Sequence, residues 1–189
     1  MKRSEINKAY LQAKDCFEEN GWAILPFFKW DVTDFGLGDF NKYGLVLINL
    51  SEEKEYCEKL MYASQNMLTP AHYHKKKKED IICREGELEI QLWNVGAKPA
   101  NNGEFEMKLN GAFHTFKSGE IIILKSGERI TIRQGIWHSF VPKSKECIIG
   151  EVSTANDDEN DNFFDNQNIG RYPEVIEDEK PIIKLISDI

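Results

Sequence analysis

Three histidines and one glutamate have the spacing of a metal site. His72 and His74 are separated by one residue, Glu79 follows a run of four lysines, and His138 comes much later, after Gly135. Residues two apart in a β-strand point to the same side, so His72 and His74 would enter one interior together. Three neutral imidazoles with one carboxylate suit Mn, Fe, Co, Ni or Zn better than Ca or Mg. Four protein ligands leave coordination positions open, as a catalytic centre requires.

Short β-strands are the elements that must position these side chains. Glu87–Trp93 alternates apolar and polar residues, which predicts one buried and one exposed face. Glycines punctuate many such runs, a pattern typical of a β-sandwich or small barrel. We expect His114 to be a strand residue without a metal role. The predicted strands are 44–49, 56–67, 71–74, 87–93, 120–124, 129–133, 138–141 and 146–152.

The two ends of the chain differ from this β region. Apolar residues three or four apart predict an N-terminal helix, which Ser4 would cap and Asn20-Gly21 would end. The stretch 22–30 is aromatic and suits either core packing or a subunit interface. The apolar tail 182–186 is expected to cover the barrel edge or to pair with a strand. Without a linker, we predict a single domain over residues 1–189, with an extension (1–42), a barrel core (43–153) and an acidic loop with the tail (154–189).

Charge and composition exclude several classes of partner. The 189 residues carry a formal net charge of −8, which argues against nucleic acid or an anionic membrane. The polar start predicts no secretory signal, and no apolar run is long enough to predict a membrane span. The four cysteines are scattered without a C-x-x-C pair, so we expect reduced, buried thiols in a cytoplasmic protein.

The histidine pattern resembles the cupin superfamily. H-x-H-x4-E-x6-G, beginning at His72, matches the first cupin motif, and G-x7-G-x2-H, ending at His138, resembles the second. Arg133 stands where the family usually has proline and Pro142 where it often has asparagine, but neither is a ligand position. The resemblance implies a mainly β fold, a double-stranded β-helix (jelly-roll) barrel with the metal in its lumen, here with the N-terminal helix added.

A narrower resemblance covers almost the whole chain. The phrases at 68–75 (LTPAHYHK), 150–153 (GEVS), 156–158 (NDD), 161–162 (DN) and 170–173 (GRYP) are similar to those of the cupin D-lyxose isomerases. This resemblance implies interconversion of D-lyxose with D-xylulose, and of D-mannose with D-fructose, on one divalent metal. Mn²⁺ is the expected ion, with Co, Fe, Ni or Zn as alternatives. We expect a small neutral sugar as substrate and a homodimer as the assembly.

An aldose–ketose isomerase moves a proton between C1 and C2 of an open-chain sugar. A carboxylate can carry that proton, and a cation stabilises the developing oxyanion. Glu151 is flanked by apolar residues and is our candidate base, although it could also be a paired structural carboxylate. The resemblance places a lysine in the active site, for which Lys59 is the candidate. Asp161 is the third catalytic candidate, in the acidic loop.

Candidates for sugar binding come from more ambiguous positions. Arg129 on a predicted strand could point inward or lie on the surface. Asp157 could belong to a lid over the barrel mouth, together with Asp158 and Asp161, although acidic runs are usually solvated. Arg171 could orient that lid or bind the substrate. We expect the Lys75–Lys78 run to be a solvated turn, with a phosphate-binding site as the alternative.

Three other functions remain open from the sequence. A cupin phosphosugar isomerase would share the metal ligands and would need a basic anion pocket. A non-catalytic sugar-binding cupin would bind a pentose without turnover. An Fe(II) oxygenase would use the open metal positions for O₂.

Overall fold

The structure is a computed structural model that describes residues 1–154, 157, 160–170 and 174–188. It contains two antiparallel sheets, which confirms a mainly β fold with an N-terminal helix. The strands are β1 Lys29–Thr33, β2 Leu45–Glu52, β3 Tyr56–Ser64, β4 Thr69–Tyr73, β5 Glu79–Glu85, β6 Glu87–Trp93, β7 Glu104–Leu109, β8 Ala112–Lys117, β9 Glu120–Lys125, β10 Arg129–Ile132, β11 Trp137–Pro142, β12 Glu146–Thr154 and β13 Phe163–Phe164. The larger sheet has the order β1-β2-β3-β12-β5-β10-β7-β8 and the smaller sheet β13-β4-β11-β6-β9.

The larger sheet is buried on both faces where it runs through the centre of the molecule. Leu45 and Leu47 of β2 pack into the core between the two sheets. Val46 and Ile48 alternate with them and pack into a second core against the helix. Because side chains alternate along a strand, one run of apolar residues serves both cores. The helix covers one face of the larger sheet, and the other face looks into the space between the two sheets.

The helix α1 spans Arg3–Glu19 and covers the outer face of the larger sheet. Ser4 is not its cap, contrary to expectation. The chain enters the helix at Lys2, whose backbone N–H donates to the Glu5 carboxylate over 2.9 Å. The Ser4 hydroxyl instead donates to Asp178 over 2.7 Å. The predicted end is confirmed, since the helix stops before Gly21, which has a positive φ of 82°.

The C-terminal tail packs beside α1 and the edge of the larger sheet. Leu185 is buried and forms a parallel bridge with Trp30 of β1, as the apolar tail predicted. The buried Arg3 guanidinium binds the carboxylate of Glu177 at 2.6 Å and that of Asp188 at 2.8 Å. These contacts fix the tail on the second core. A short helix α2 (Phe40–Tyr43) and a 3₁₀ turn (Ile186–Asp188) complete the described elements.

The aromatic stretch 22–30 divides between the core and the surface. Trp30 is buried, and its ring meets Tyr10 of α1 edge-on at a centroid distance of 4.7 Å. Phe27 is 72% exposed, so it does not belong to the core. Among the described residues, no helix is both long and apolar enough to cross a bilayer.

Candidate metal centre and active site

Three imidazoles converge between the two sheets. His72 lies on β4 directly opposite His138 of β11, and His74 follows the end of β4. Each Nδ1 contacts a backbone carbonyl, that of Pro70 for His72 (2.8 Å) and that of Ile136 for His138 (3.1 Å). A carbonyl only accepts, so Nδ1 carries the proton and Nε2 keeps its lone pair. Ligand atoms of all three imidazoles lie within 4.8 Å of one another.

Glu79 completes this group from the opposite sheet. Its Oε1 lies 3.0 Å from His138 Nε2 and 3.5 Å from His74 Nε2. Those three buried atoms have no hydrogen-bond partner among the described residues. Lone pairs that face each other away from water are costly unless a cation lies between them. The donor set therefore fits a divalent metal ion held by His72, His74, Glu79 and His138.

The electrostatics of this group favour ligands in their binding form. Burial holds the pKa of His72 well below its usual range, and the neighbouring imidazoles lower it further, so the ring is neutral. Burial alone would raise the pKa of Glu79. The Lys77 ammonium, together with the contacts to His74 and His138, outweighs that effect and holds the pKa well below its usual range. Neutral imidazole and ionised carboxylate are the states that bind a metal.

Glu151 lies beside the cluster, between two lysines. It sits on β12, where its register partners are Lys59 of β3 and Ile81 of β5. Its Oε1 is 2.8 Å from Lys77 Nζ and 3.9 Å from Lys59 Nζ. Glu151 and both lysines are buried. The expected active-site pair of Lys59 and Glu151 is thus brought together.

Lys77 is a member of the site that the sequence did not reveal. The expectation of a solvated turn holds for Lys75, Lys76 and Lys78, which are exposed, and is wrong for Lys77, which is 5% exposed. Burial disfavours its charged form, but Glu151 and Glu79 outweigh this effect and raise its pKa above the usual value. The ammonium is therefore a permanent charge within the site.

One cavity of about 220 Å³ gives access to this cluster. It is smaller than the 300–1,000 Å³ typical of sites for drug-sized ligands, so it suits a small molecule. Its polar lining includes Asp31 and Thr33 of β1, Thr69 and Asn162, which the sequence did not single out. Its apolar lining consists of Phe35, Leu45, Leu47, Met61, Ile81, Phe140, Phe164 and Ile169. The candidate metal ligands, the Glu151 carboxylate and two ammonium groups thus line one small cavity.

Asp161 is buried, but its carboxylate faces the backbone of the 75–77 turn. It accepts the N–H groups of Lys75 (2.8 Å), Lys76 (3.1 Å) and Lys77 (2.9 Å). Its backbone carbonyl accepts His74 Nδ1–H over 2.6 Å. The carboxylate does not line the cavity, whereas the neighbouring Asn162 does. Asp161 therefore supports a metal ligand and the turn that carries Lys77.

Two of the candidates for sugar binding, Arg129 and Asp157, do not line the cavity. Arg129 has its side chain 46% exposed and contacts Asp80 at 3.6 Å, away from the cavity. Asp157 lies near the surface, where it accepts from Asn160 over 2.9 Å and lies 3.7 Å from Lys76 Nζ. Arg171 and Asp158 lie outside the described residues. His114 lies on β8 with an exposed side chain, apart from the metal cluster, as expected.

The family model and the curated relatives that match this chain all point to D-lyxose isomerases. The D-lyxose isomerase family matches residues 28–189. A D-lyxose/D-mannose isomerase of Escherichia coli O157:H7 is 34% identical over 100% of this chain and 98% of its own length. One of Serratia proteamaculans is 37% identical over 80% of this chain and 72% of its own. A D-lyxose ketol-isomerase of Cohnella laeviribosi is 28% identical over 93% of this chain and 98% of its own.

Solved structures share the fold at much lower sequence identity. The L-ribose isomerase of Cellulomonas parahominis, solved with L-ribose, superposes with a TM-score of 0.69 at 15% identity. It covers 89% of this chain, and 94% of its own chain is matched. The L-ribose isomerase of Geodermatophilus obscurus gives a TM-score of 0.67 at 17% identity, with the same coverage of both chains. These likenesses support the cupin-like architecture of two packed antiparallel sheets.

Proposed function

Because this chain belongs to the D-lyxose isomerase family, we propose that it interconverts D-lyxose with D-xylulose and D-mannose with D-fructose. The observation that carries the proposal is the common chamber, in which the metal-ligand cluster and the buried carboxylate of Glu151 line one cavity of about 220 Å³. An aldose–ketose isomerase needs both, because it must stabilise charge on the sugar oxygens while a proton changes carbon.

We propose that His72, His74, Glu79 and His138 hold one divalent ion, with Mn²⁺ as the first choice. Nitrogen and oxygen donors without a thiolate suit a first-row transition metal. Such an ion, when bound, supplies Lewis acidity to the neighbouring oxygens of a sugar. The protein contributes the fixed imidazole tautomers and the buried carboxylate.

Glu151 is the proposed acid–base group. It lies in the cavity, and a carboxylate there can take the proton from one sugar carbon and return it to the adjacent one. Such proton transfer contributes on the order of 10²–10⁴-fold in rate. Lys59 Nζ, 3.9 Å from Glu151, is proposed to stabilise negative charge that develops on the sugar oxygens. Both groups belong to the larger sheet and face the imidazoles of the smaller one.

Other candidates take different roles in this proposal. Asp161 is proposed as a positioning residue, because its carboxylate is engaged by three backbone N–H groups. Arg129 and Asp157 do not line the cavity, so we propose no contact between them and the sugar. A sugar-binding role for Arg171 stays a prediction. We also propose that the protein is cytoplasmic and forms a homodimer. Light scattering, which measures molar mass in solution, would test the dimer.

A neutral sugar suits the cavity better than a sugar phosphate. Among the described residues that line it, the ammonium groups are those of Lys59 and Lys77, and both lie within 4 Å of Glu151. A phosphate would have to compete with that carboxylate and would approach Glu79 as well. The exposed lysines of the turn do not form a second anion pocket with the described residues around them. The Lys75 ammonium lies over the Phe163 ring, and the Lys76 ammonium lies near the Asp157 carboxylate. The phosphosugar alternative therefore has little support.

The test is a sugar panel on protein freed of metal and then supplied with Mn²⁺. Ketose formation is measured from D-lyxose, D-mannose, D-xylose and glucose 6-phosphate. We expect fast turnover of the first two sugars, and deuterium from heavy water at C1 of the ketose product. Ketose from the phosphate ester alone would favour the phosphosugar alternative. Tight binding of the pentoses without turnover would favour a sugar-binding protein, and oxygen uptake an oxygenase.

The acid–base role of Glu151 has its own test. Glu151→Gln removes the ionisable group but keeps the shape, so we expect the metal to be retained and kcat to fall about 10²–10⁴-fold. Glu58→Gln is the matched control, since Glu58 precedes Lys59 on β3 and points to the opposite face. An unchanged kcat in Glu151→Gln would exclude this carboxylate as the base.

A further inference from the structure

Lys77 contacts both carboxylates of the proposed centre, that of the metal-ligand candidate Glu79 and that of the proposed base Glu151. Its Nζ lies 2.9 Å from Glu79 Oε2 and 2.8 Å from Glu151 Oε1. We propose that Lys77 is a positioning residue that orients Glu79 as a metal ligand and Glu151 for proton transfer. This inference rests on the proposed function for its second half, because only an isomerase needs Glu151 as a base.

The backbone directs Lys77 into the cavity. The Asp161 carboxylate accepts the backbone N–H groups of Lys75, Lys76 and Lys77. The turn is therefore held in place by a residue 84 positions after Lys77 in the sequence. Lys77 alternates with exposed neighbours and is itself 5% exposed. Its side chain extends inward to line the cavity. A surface lysine would lose little by moving, but this one is fixed at both ends.

Glu79 depends on this contact for its orientation. Its two oxygens have different partners, since Oε2 accepts from Lys77 while Oε1 faces His74 Nε2 and His138 Nε2. The ammonium therefore fixes which oxygen is turned toward the imidazoles. Groups that hold a metal ligand in this way typically change metal affinity or activity 10–100-fold when removed. Without Lys77, the carboxylate is free to rotate away from the ligand position.

Glu151 depends on the same ammonium for charge balance. Two buried carboxylates that share one small site repel each other unless a cation lies between them. Lys59 also approaches Glu151, but at 3.9 Å and from the other side. Among the described contacts, Lys77 bridges both carboxylates. Its loss would favour reorientation of one of them.

The primary experiment compares Lys77→Met with Lys78→Met. Lys78 belongs to the same turn and has an exposed side chain, so its variant controls for loss of a lysine. Mn²⁺ affinity is measured by electron paramagnetic resonance of free Mn²⁺, and kcat is measured on D-lyxose at saturating Mn²⁺. For Lys77→Met we expect about 10–100-fold weaker Mn²⁺ binding and a similar loss in kcat, with both unchanged in Lys78→Met. Folded Lys77→Met with unchanged affinity would overturn the role toward Glu79, and unchanged kcat the role toward Glu151.

Chemical rescue separates positioning from general support of the fold. Lys77→Ala removes three methylenes and the ammonium, and the vacated space opens to the cavity. Added propylammonium has the missing shape and charge, so we expect it to restore part of Mn²⁺ affinity and of kcat. Propanol, which lacks the charge, should not do so. Equal effects of propylammonium and propanol would show that Lys77 acts through packing and would overturn the proposal.

A second pair of variants serves if Lys77→Met does not fold. In Lys77→Met alone, both Glu79 and Glu151 lose the ammonium that they share. Combining it with Glu151→Gln removes one of these two carboxylates, so only Glu79 is left without the ammonium. The Mn²⁺ affinity of this double variant is compared with that of Glu151→Gln alone, and we expect at least about tenfold weaker binding in the double variant. Equal affinities would overturn the role toward Glu79. If the unchanged protein isomerises none of the sugars, the proposed function and the role toward Glu151 fail together, while these Mn²⁺ titrations still decide the role toward Glu79.

Discussion

Replacement of Asp161 distinguishes a structural role from a chemical one. Asp161→Ala removes a carboxylate that accepts N–H groups of three residues at 2.8–3.1 Å and that is 3% exposed. Hydrogen bonds to a charged group contribute about 1.5–3 kcal/mol each. Water can reach the amides of the exposed Lys75 and Lys76, so we count the buried Lys77 amide fully and the other two only in small part. The free energy of unfolding should fall by roughly 3 kcal/mol.

Asp161→Asn should show about half of that loss, roughly 1–2 kcal/mol, because one amide oxygen still accepts from the turn. Urea denaturation gives the stability, and kcat at saturating Mn²⁺ gives the chemistry. We expect kcat of Asp161→Asn to fall less than about tenfold, a much smaller loss than removal of a proton-transfer group. Asp157→Asn is the control from the same segment, where the carboxylate lies near the surface. Unchanged stability with kcat reduced a hundredfold would refute this reasoning and restore Asp161 as a catalytic candidate.

Two further predictions concern the centre and the tail. His138→Ala should abolish both retention of Mn²⁺ and turnover, and metal analysis of the purified variant checks this; full activity would remove His138 from the site. Burial alone would raise the pKa of Asp188, but the contacts of its carboxylate, those with the Arg3 guanidinium first among them, hold that pKa below its usual value. The same guanidinium lowers the pKa of Glu177. These two ion pairs therefore stabilise the fold above about pH 4.5, and their contribution is lost as the pH falls through the lowered pKa values. The protection factor of the Ile176 amide, that is, its exchange rate corrected for the intrinsic rate at each pH, should fall on acidification because this N–H donates to the Met1 carbonyl. Arg3→Met should show the lower protection already at neutral pH.

Periodicity predicted most of the strands around the site, but it missed β1, β5 and β7. Glu87–Trp93 was predicted at its observed bounds, because apolar and polar residues alternate along it. β5 contains the run Ile81-Ile82-Cys83, buried on both faces, so no alternation marks it as a strand. The β7–β8 hairpin could have been found, since Asn110-Gly111 joins two runs with alternating residues.

The convergence of His72, His74 and His138 was predictable because short local motifs, H-x-H and G-x-x-H, carry the signal. Two histidines separated by one residue point to the same side whenever their segment is a β-strand. The inward direction of Lys77 is set instead by Asp161, 84 residues away, so four consecutive lysines looked alike. Asp31 and Thr33 were missed for a similar reason, because β1 reaches the cavity only through its pairing with β2. Contacts between distant segments, rather than residue types, decide these positions.

The centre straddles two sheets, so the spacing between the sheets becomes a variable of the chemistry. His72 and His138 belong to the smaller sheet, whereas Glu79 and Glu151 belong to the larger one. Facing sheets stand about 10 Å apart, and the side chains wedged between them set that distance. Productive sites tolerate errors of only about 0.5 Å. Interior residues such as Ile149, which lies in the core between the sheets and does not line the cavity, would therefore act as spacers that set the distance between the imidazoles and the two carboxylates.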